Sequence, residues 1–142
     1  MEIKYKRTAD VKPPNYANEG DAGLDLYSAD EFVLKPGERK IASAGIKIAV
    51  PFGYEAQIRP KSGLAAKHGI SVINTPGTID TGYRGVVGVI MINHGNEDFN
   101  VEKNMKIAQM VIKKVETAKL IEVDDLGEDT SRGEGGFGST GK

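Results

Sequence analysis

Short apolar runs separated by turn residues recur along almost the whole chain, and this rhythm most limits what the chain can become. "LDLYSA", "EFVL", "RKIAS", "AGIKIAV", "YEAQIRP", "GISVIN", "YRGVVGVIMIN", "FNVEK" and "LIEVDDL" are each too short for a stable helix. "KPGE", "PFG" and "HGNED" supply breaks between them. Many strands closed by Gly and Pro turns predict an all-β sandwich or barrel. In 142 residues one domain is expected, and 18 glycines serve that many turns without low complexity.

Within this pattern Ile46, Ile48 and Val50 alternate with Lys47 and Ala49, as in a strand with one buried face. The stretch from Val86 to Ile92 is apolar almost throughout, which predicts a strand covered on both faces, the second face lying against another subunit. "SGLAAKHG" predicts one short helix, with Ser62 as N-cap and Gly69 as C-cap glycine. "MKIAQMVIKKVETAKL" also fits a helical stripe, but its β-branched density favours a strand.

Composition excludes several classes. The absence of cysteine rules out disulfides and thiolate metal sites. A formal net charge of −1 and no clustered basic patch argue against nucleic acid or an anionic membrane as partner. The charged start "MEIKYKRTAD" lacks the apolar core of a signal peptide, so a soluble, cytoplasmic or otherwise intracellular protein is expected.

Five stretches carry possible chemistry. In "DAGLDLYS", Asp21 and Asp25 flank a glycine turn; they read as solvated turn acids or as a water-mediated magnesium contact, since Mg²⁺ keeps several waters and needs few carboxylates. In "RPKSGLAAKHG", Ser62 at a helix start with Arg59 and Lys61 beside it is either a plain cap or a polyphosphate grip. His68 and His94 stand apart and do not form a metal site. "INTPGTIDTGYRG" reads as a hairpin carrying Asp80 and Tyr83, a carboxylate able to orient a water and a ring able to pack on a sugar or base.

Gln109 interrupts "KIAQMVI", where an amide needs a structural partner or a ligand. The end, "RGEGGFGSTGK", offers Arg132, Phe137, Ser139, Thr140 and many glycine amides, or is mere disorder. Gly136 to Lys142 nearly spells an NTPase phosphate loop, but no Ser or Thr follows the lysine and no strand-loop-helix unit is predicted around it.

In this order and spacing the stretches resemble the five motifs of the trimeric deoxyuridine triphosphatases. "DAGLDLYS", "PKSGLA", "GTIDTGYRG", "KIAQMVI" and "RGEGGFGSTG" match the first to the fifth. The resemblance implies a jelly-roll-like β fold, a homotrimer with sites shared between subunits, and hydrolysis of dUTP to dUMP and pyrophosphate with Mg²⁺. It implies Asp80 as the general base and Asp25 as an outer-shell magnesium contact through water.

The substrate-binding positions it implies are Lys61, Ser62, Gly63, Asn74, Gly77, Thr78, Ile79, Tyr83, Gln109, Arg132, Phe137, Gly138, Ser139 and Thr140. Residues 1–130 would form the β domain, and 131–142 an arm closing over a neighbour's site. Two positions depart from the family pattern: Lys61 stands where Arg is usual, and Gly82 where Asp is frequent. A dCTP deaminase of similar fold and a β module that binds nucleotide without hydrolysing it are the alternatives.

Overall fold

The computed structural model describes residues 1–127 and 130–138. Eleven strands and one helix follow the apolar runs: β1 (Lys4–Arg7), β2 (Leu24–Tyr27), β3 (Phe32–Leu34), β4 (Arg39–Ser43), β5 (Ile46–Ala49), β6 (Tyr54–Arg59), α1 (Ser62–His68), β7 (Ile70–Val72), β8 (Gly77–Ile79), β9 (Gly88–Asn93), β10 (Phe99–Val101) and β11 (Lys106–Lys114). The fold is the expected jelly-roll-like β sandwich. A four-stranded sheet runs β2-β11-β6-β8, a three-stranded sheet runs β4-β9-β7, and β1-β5 and β10-β3 form two-stranded ribbons, every pairing being antiparallel.

Their inward faces merge into one core that includes Leu26, Leu34, Ile46, Val50, Ile70, Val89, Met91, Ile107 and Met110. Each such side chain, removed from water, stabilises the fold by about 1.5–3 kcal/mol.

Several expectations need correction. Lys61, not Ser62, is the N-cap: its backbone is extended at φ −94 and ψ 125, and its carbonyl accepts the bond from the Ala65 N–H at 3.0 Å. Ser62 is therefore the first helical residue, and no side chain caps the helix. The predicted hairpin at 74–85 is instead a passage between sheets, because β7 pairs with β9 while β8 pairs with β6.

β9 starts only at Gly88: Val89, Met91, Ile92 and Asn93 are buried, whereas Gly88 is exposed and Ile90 is half-buried. Its second face is thus only partly covered within the protomer. β11 stops at Lys114, and "LIEVDDL" forms no strand, leaving Leu120, Ile121, Val123 and Leu126 exposed. The segment pairs with no strand among the described residues.

Helix α1 is held at its far end by backbone contact. Gly69 has φ 68 and donates its N–H to the Ala65 carbonyl, the C-cap the sequence predicts. A Cβ on Gly69 would fall 2.6 Å from the Gly95 nitrogen, and one on Gly95 would fall 2.4 Å from the His68 carbonyl oxygen. Only glycines permit that approach. The loop carrying Gly95 is fixed in turn by Asn93, which is fully buried. Its amide donates to the carbonyls of Leu34 and Glu97, both at 2.8 Å, and its oxygen accepts from the Gly95 N–H at 2.8 Å. Asn93→Ala should therefore lower unfolding free energy by about 1–3 kcal/mol in urea titration, since the buried Leu34 carbonyl and two less buried backbone groups lose their partner.

Candidate functional site

The centre of the four-stranded sheet gathers the first, second and fourth motifs. β11 lies between β2 and β6, so Gln109 faces Asp25 on one side and Arg59 on the other. Gln109 donates from Nε2 to the Pro60 carbonyl at 3.0 Å, which ties β11 to the strand end from which Lys61 and Ser62 emerge. Gly23 makes room for it: a Cβ there would lie 2.3 Å from Gln109 Oε1. The amide is thus held from both sides.

Asp25 is only 3% exposed and lies between two ammonium groups. Lys61 pairs with Oδ1, and Lys106 Nζ stands 2.7 Å from Oδ2. The Lys106 contact is ionic, since Oδ2 makes no well-angled hydrogen bond and keeps acceptor capacity. Burial pushes the carboxyl up, but the ammonium groups of Lys106 and Lys61 beside it outweigh that and hold Asp25 below the usual carboxylate range. Arg59 does not join this cluster: its guanidinium donates back along β6 to Gln57 Oε1, from Nε at 3.0 Å. Asp21 instead accepts from the Asn18 N–H at 2.8 Å, as a turn acid does.

The third motif builds a separate half. Thr78, Ile79, Asp80, Tyr83, Val87 and Gly88 line a cavity of about 260 Å³, and none of Asp25, Lys61, Ser62 or Gln109 lines it. The Tyr83 hydroxyl donates to the Val86 carbonyl at 3.0 Å, and Gly85 leaves space for it, since a Cβ there would lie 2.3 Å from that oxygen. The ring is thereby pinned with 45% of the residue exposed. Asn74 leans over Gly77, its Nδ2 3.1 Å from where a Cβ would be.

The turn after Asp80 does not depend on a side chain at Gly82, around which a Cβ would meet nothing within 4 Å. Thr81 donates to the Val50 carbonyl at 2.8 Å, and Arg84 donates to the carbonyls of Thr81 at 2.7 Å and Tyr83 at 2.8 Å. These contacts hold the turn where the family frequently has Asp.

The halves sit toward opposite ends of β6. Ile79 is opposite Ala56, whereas Gln109 is opposite Arg59, after which the chain passes to Lys61 and Ser62. Three strand positions separate the two registers, roughly 10 Å at the rise of an antiparallel strand. Asp80 and Ser62 continue in opposite directions from there.

In the described part of the last motif, Arg132 bonds within the segment, its Nε donating to the Gly135 carbonyl at 2.8 Å, Phe137 is fully exposed at φ 48, and Gly138 has φ 88. Ser139 and Thr140 lie outside the described residues. No group of three or more His, Cys, Asp or Glu able to hold a metal occurs among the described residues, and no helix there is long and apolar enough to cross a membrane.

The family model described as dUTPase matches residues 9–141. The chain belongs to the dUTPase family. It is 61% identical over 140 residues to the deoxyuridine 5'-triphosphate nucleotidohydrolase of Alkaliphilus metalliredigens, covering 98% of this chain and 96% of that one. It is 64% identical over 128 residues to the enzyme of the same name from Clostridium novyi, covering 90% and 89%. Among solved structures, a Staphylococcus bacteriophage 80alpha dUTPase mutant with dUpNHpp superimposes with TM-score 0.92 at 25% identity over 99% of both chains. This dUTPase chain is accordingly an enzyme, a hydrolase, and neither the deaminase nor the non-hydrolysing alternative finds support among these relatives.

Two features went unread in the sequence. Gly23 is a seat for Gln109, and Lys106 is the second cation on Asp25. The adjacent apolar pair Ile107 and Ala108, breaking strict alternation ahead of Gln109, was the signal for the latter. Gly23→Ala should displace the far end of Gln109 without opening the core. Unfolding free energy should stay within about 1 kcal/mol while dUTP turnover falls roughly tenfold or more, as steady-state kinetics beside a urea titration would read.

Proposed function

We propose that the protein hydrolyses dUTP, as Mg·dUTP, to dUMP and pyrophosphate in a homotrimer whose sites are shared between subunits. Hydrolysis of dUTP is the activity of the family to which the chain belongs. The observation that supports the shared site is the separation just described: the Asp80 cavity and the Ser62 group are displaced from each other along β6, and the cavity is lined by no residue of the second group. One protomer's Asp80 cavity would then meet another protomer's Asp25, Lys61, Ser62 and Gln109. The exposed Phe137 supports an arm at 131–142 that finds its cover on a neighbour, and the exposed Leu120, Ile121, Val123 and Leu126 just before it suit the same contact.

In such a site the uracil and deoxyribose occupy the Asp80 cavity. The backbone from Asn74 through Gly77, Thr78 and Ile79 reads the base edge, and the pinned Tyr83 ring packs under the sugar, leaving no room for a 2′-hydroxyl. Ser62 and the amide of Gly63 hold phosphate oxygens, Lys61 supplies positive charge, and Gln109 positions phosphate or water. Asp80 orients a water and takes its proton as the oxygen bonds the α-phosphorus. The bond from that phosphorus to the bridging oxygen breaks, and pyrophosphate departs in line.

Magnesium fits as a passenger of the triphosphate, neutralising its charge. Asp25, buried and flanked by two ammonium groups, suits at most a contact through a metal-bound water and not direct coordination in a cage. A neighbouring fold, the phage phi11 dUTPase, is described with a structural Mg(II) ion. Arg132, Phe137, Gly138, Ser139 and Thr140 close over the ligand, the ring stacking on uracil and the rest gripping phosphates.

Asp80→Asn should leave dUTP binding nearly intact while turnover falls by a factor of roughly 10² or more. Near-normal turnover would move the base elsewhere. Mixed trimers test the sharing. Asp80→Asn chains unfolded and refolded with an equal amount of chains lacking residues 131–142 should recover about a quarter of wild-type dUTP turnover, because each mixed ring keeps one intact site. Each parent alone should be nearly inactive, and recovery near zero would sink the shared-site reading.

A further inference from the structure

Lys106 occupies a position that plain strand geometry would deny it. Asp25 and Gln109 are directly opposite each other, so their side chains share a face of the sheet. Lys106 precedes Gln109 by three residues, and period-two alternation would send its side chain to the other face. A register shift between Lys106 and Ala108 intervenes: Lys106 is opposite Tyr27, and Ala108 is opposite the next residue back, Leu26. The bulge leaves Ile107 and Ala108 both buried and turns Lys106 to the Asp25 face, where Nζ reaches Oδ2 at 2.7 Å. Bulges beside functional sites commonly re-aim a side chain in this way.

The consequence is electrostatic. With Lys61 alone, a buried Asp25 would form a neutral pair, and the ammonium nearest Ser62 would offer a phosphate chain no net charge. With Lys106 on the second oxygen, two cations share one anion and the cluster carries a net single positive charge. Arg59, turned to Gln57, adds no direct bond there. Lys106 is half exposed while Asp25 is almost fully buried, so the ammonium both keeps a buried carboxylate charged and presents its own charge toward solvent.

We propose that Lys106 is a positioning residue for phosphate binding: it holds Asp25 and keeps the Asp25–Lys61–Lys106 cluster net cationic, so that Lys61 is free to meet the triphosphate. This rests on the reading of Ser62 and Lys61 as the phosphate side of the site. It also gives a physical account of Lys61 where Arg is usual. An arginine fork can serve carboxylate and phosphate together, whereas a single ammonium needs a second one to take over the carboxylate.

The test compares Lys106→Met and Lys106→Arg with wild type by calorimetric binding of inorganic tripolyphosphate and of deoxyuridine, alongside dUTP kinetics and melting temperature. Lys106→Met should weaken tripolyphosphate binding and raise KM for dUTP about tenfold, while kcat and deoxyuridine binding stay within about twofold. Lys106→Arg should return both values to within about threefold of wild type. Unchanged tripolyphosphate affinity in Lys106→Met overturns the proposal, as does an equal loss for deoxyuridine or failure of Arg to rescue. If Lys106→Met does not fold, Lys106→Gln is read by the same criteria. Absence of dUTP turnover in the wild type would instead overturn the proposed function, and tripolyphosphate binding would still decide the role of Lys106.

Discussion

Everything near the candidate site depends on β11 being paired on both sides. Its antiparallel ladders to β2 and β6 bring Asp25, Gln109 and Arg59 into one row, though they are far apart in sequence. A register slip of one residue would turn Gln109 to the opposite face and break the row. The burial of Met110 and Val111 next to it resists such a slip, because a shifted β11 would exchange core side chains for polar ones. Hydrophobic register thus sets the geometry of a polar cluster.

That frame explains how the chain accommodates its departures from the family pattern. Gly82 is tolerated because the turn is fastened by Thr81, Tyr83 and Arg84 through backbone carbonyls, and no side chain at position 82 is asked to help. Lys61 is tolerated in a different manner, through a partner cation on a neighbouring strand. Both cases show a polar function moved to another residue while the backbone holding it stays put.

The sequence made much of this legible where the information is local. Strand rhythm predicts the β sandwich, and Gly69 marks the end of α1 because only a residue tolerant of positive φ can reverse the chain there. The motif order points to the residues that cluster around Gln109. Pairing is not local, however. β7 and β8 are separated by four residues with turn chemistry, which imitates a hairpin, yet each finds its partner elsewhere in the sandwich. Likewise "LIEVDDL" has the composition of a strand but pairs with none of the described strands. The bulge that aims Lys106 leaves only a two-residue lapse in alternation as its trace.

The placement of the two half-sites toward opposite ends of β6 has a consequence for the life of a newly made chain. Under the proposed shared sites a folded protomer would carry every element of the chemistry without bringing them to one ligand, and would stay inert until it met others of its kind. Catalytic output at low abundance would then rise more steeply than chain number, as assembly requires. The geometry of one strand becomes a threshold, below which synthesis accumulates material and above which it yields activity.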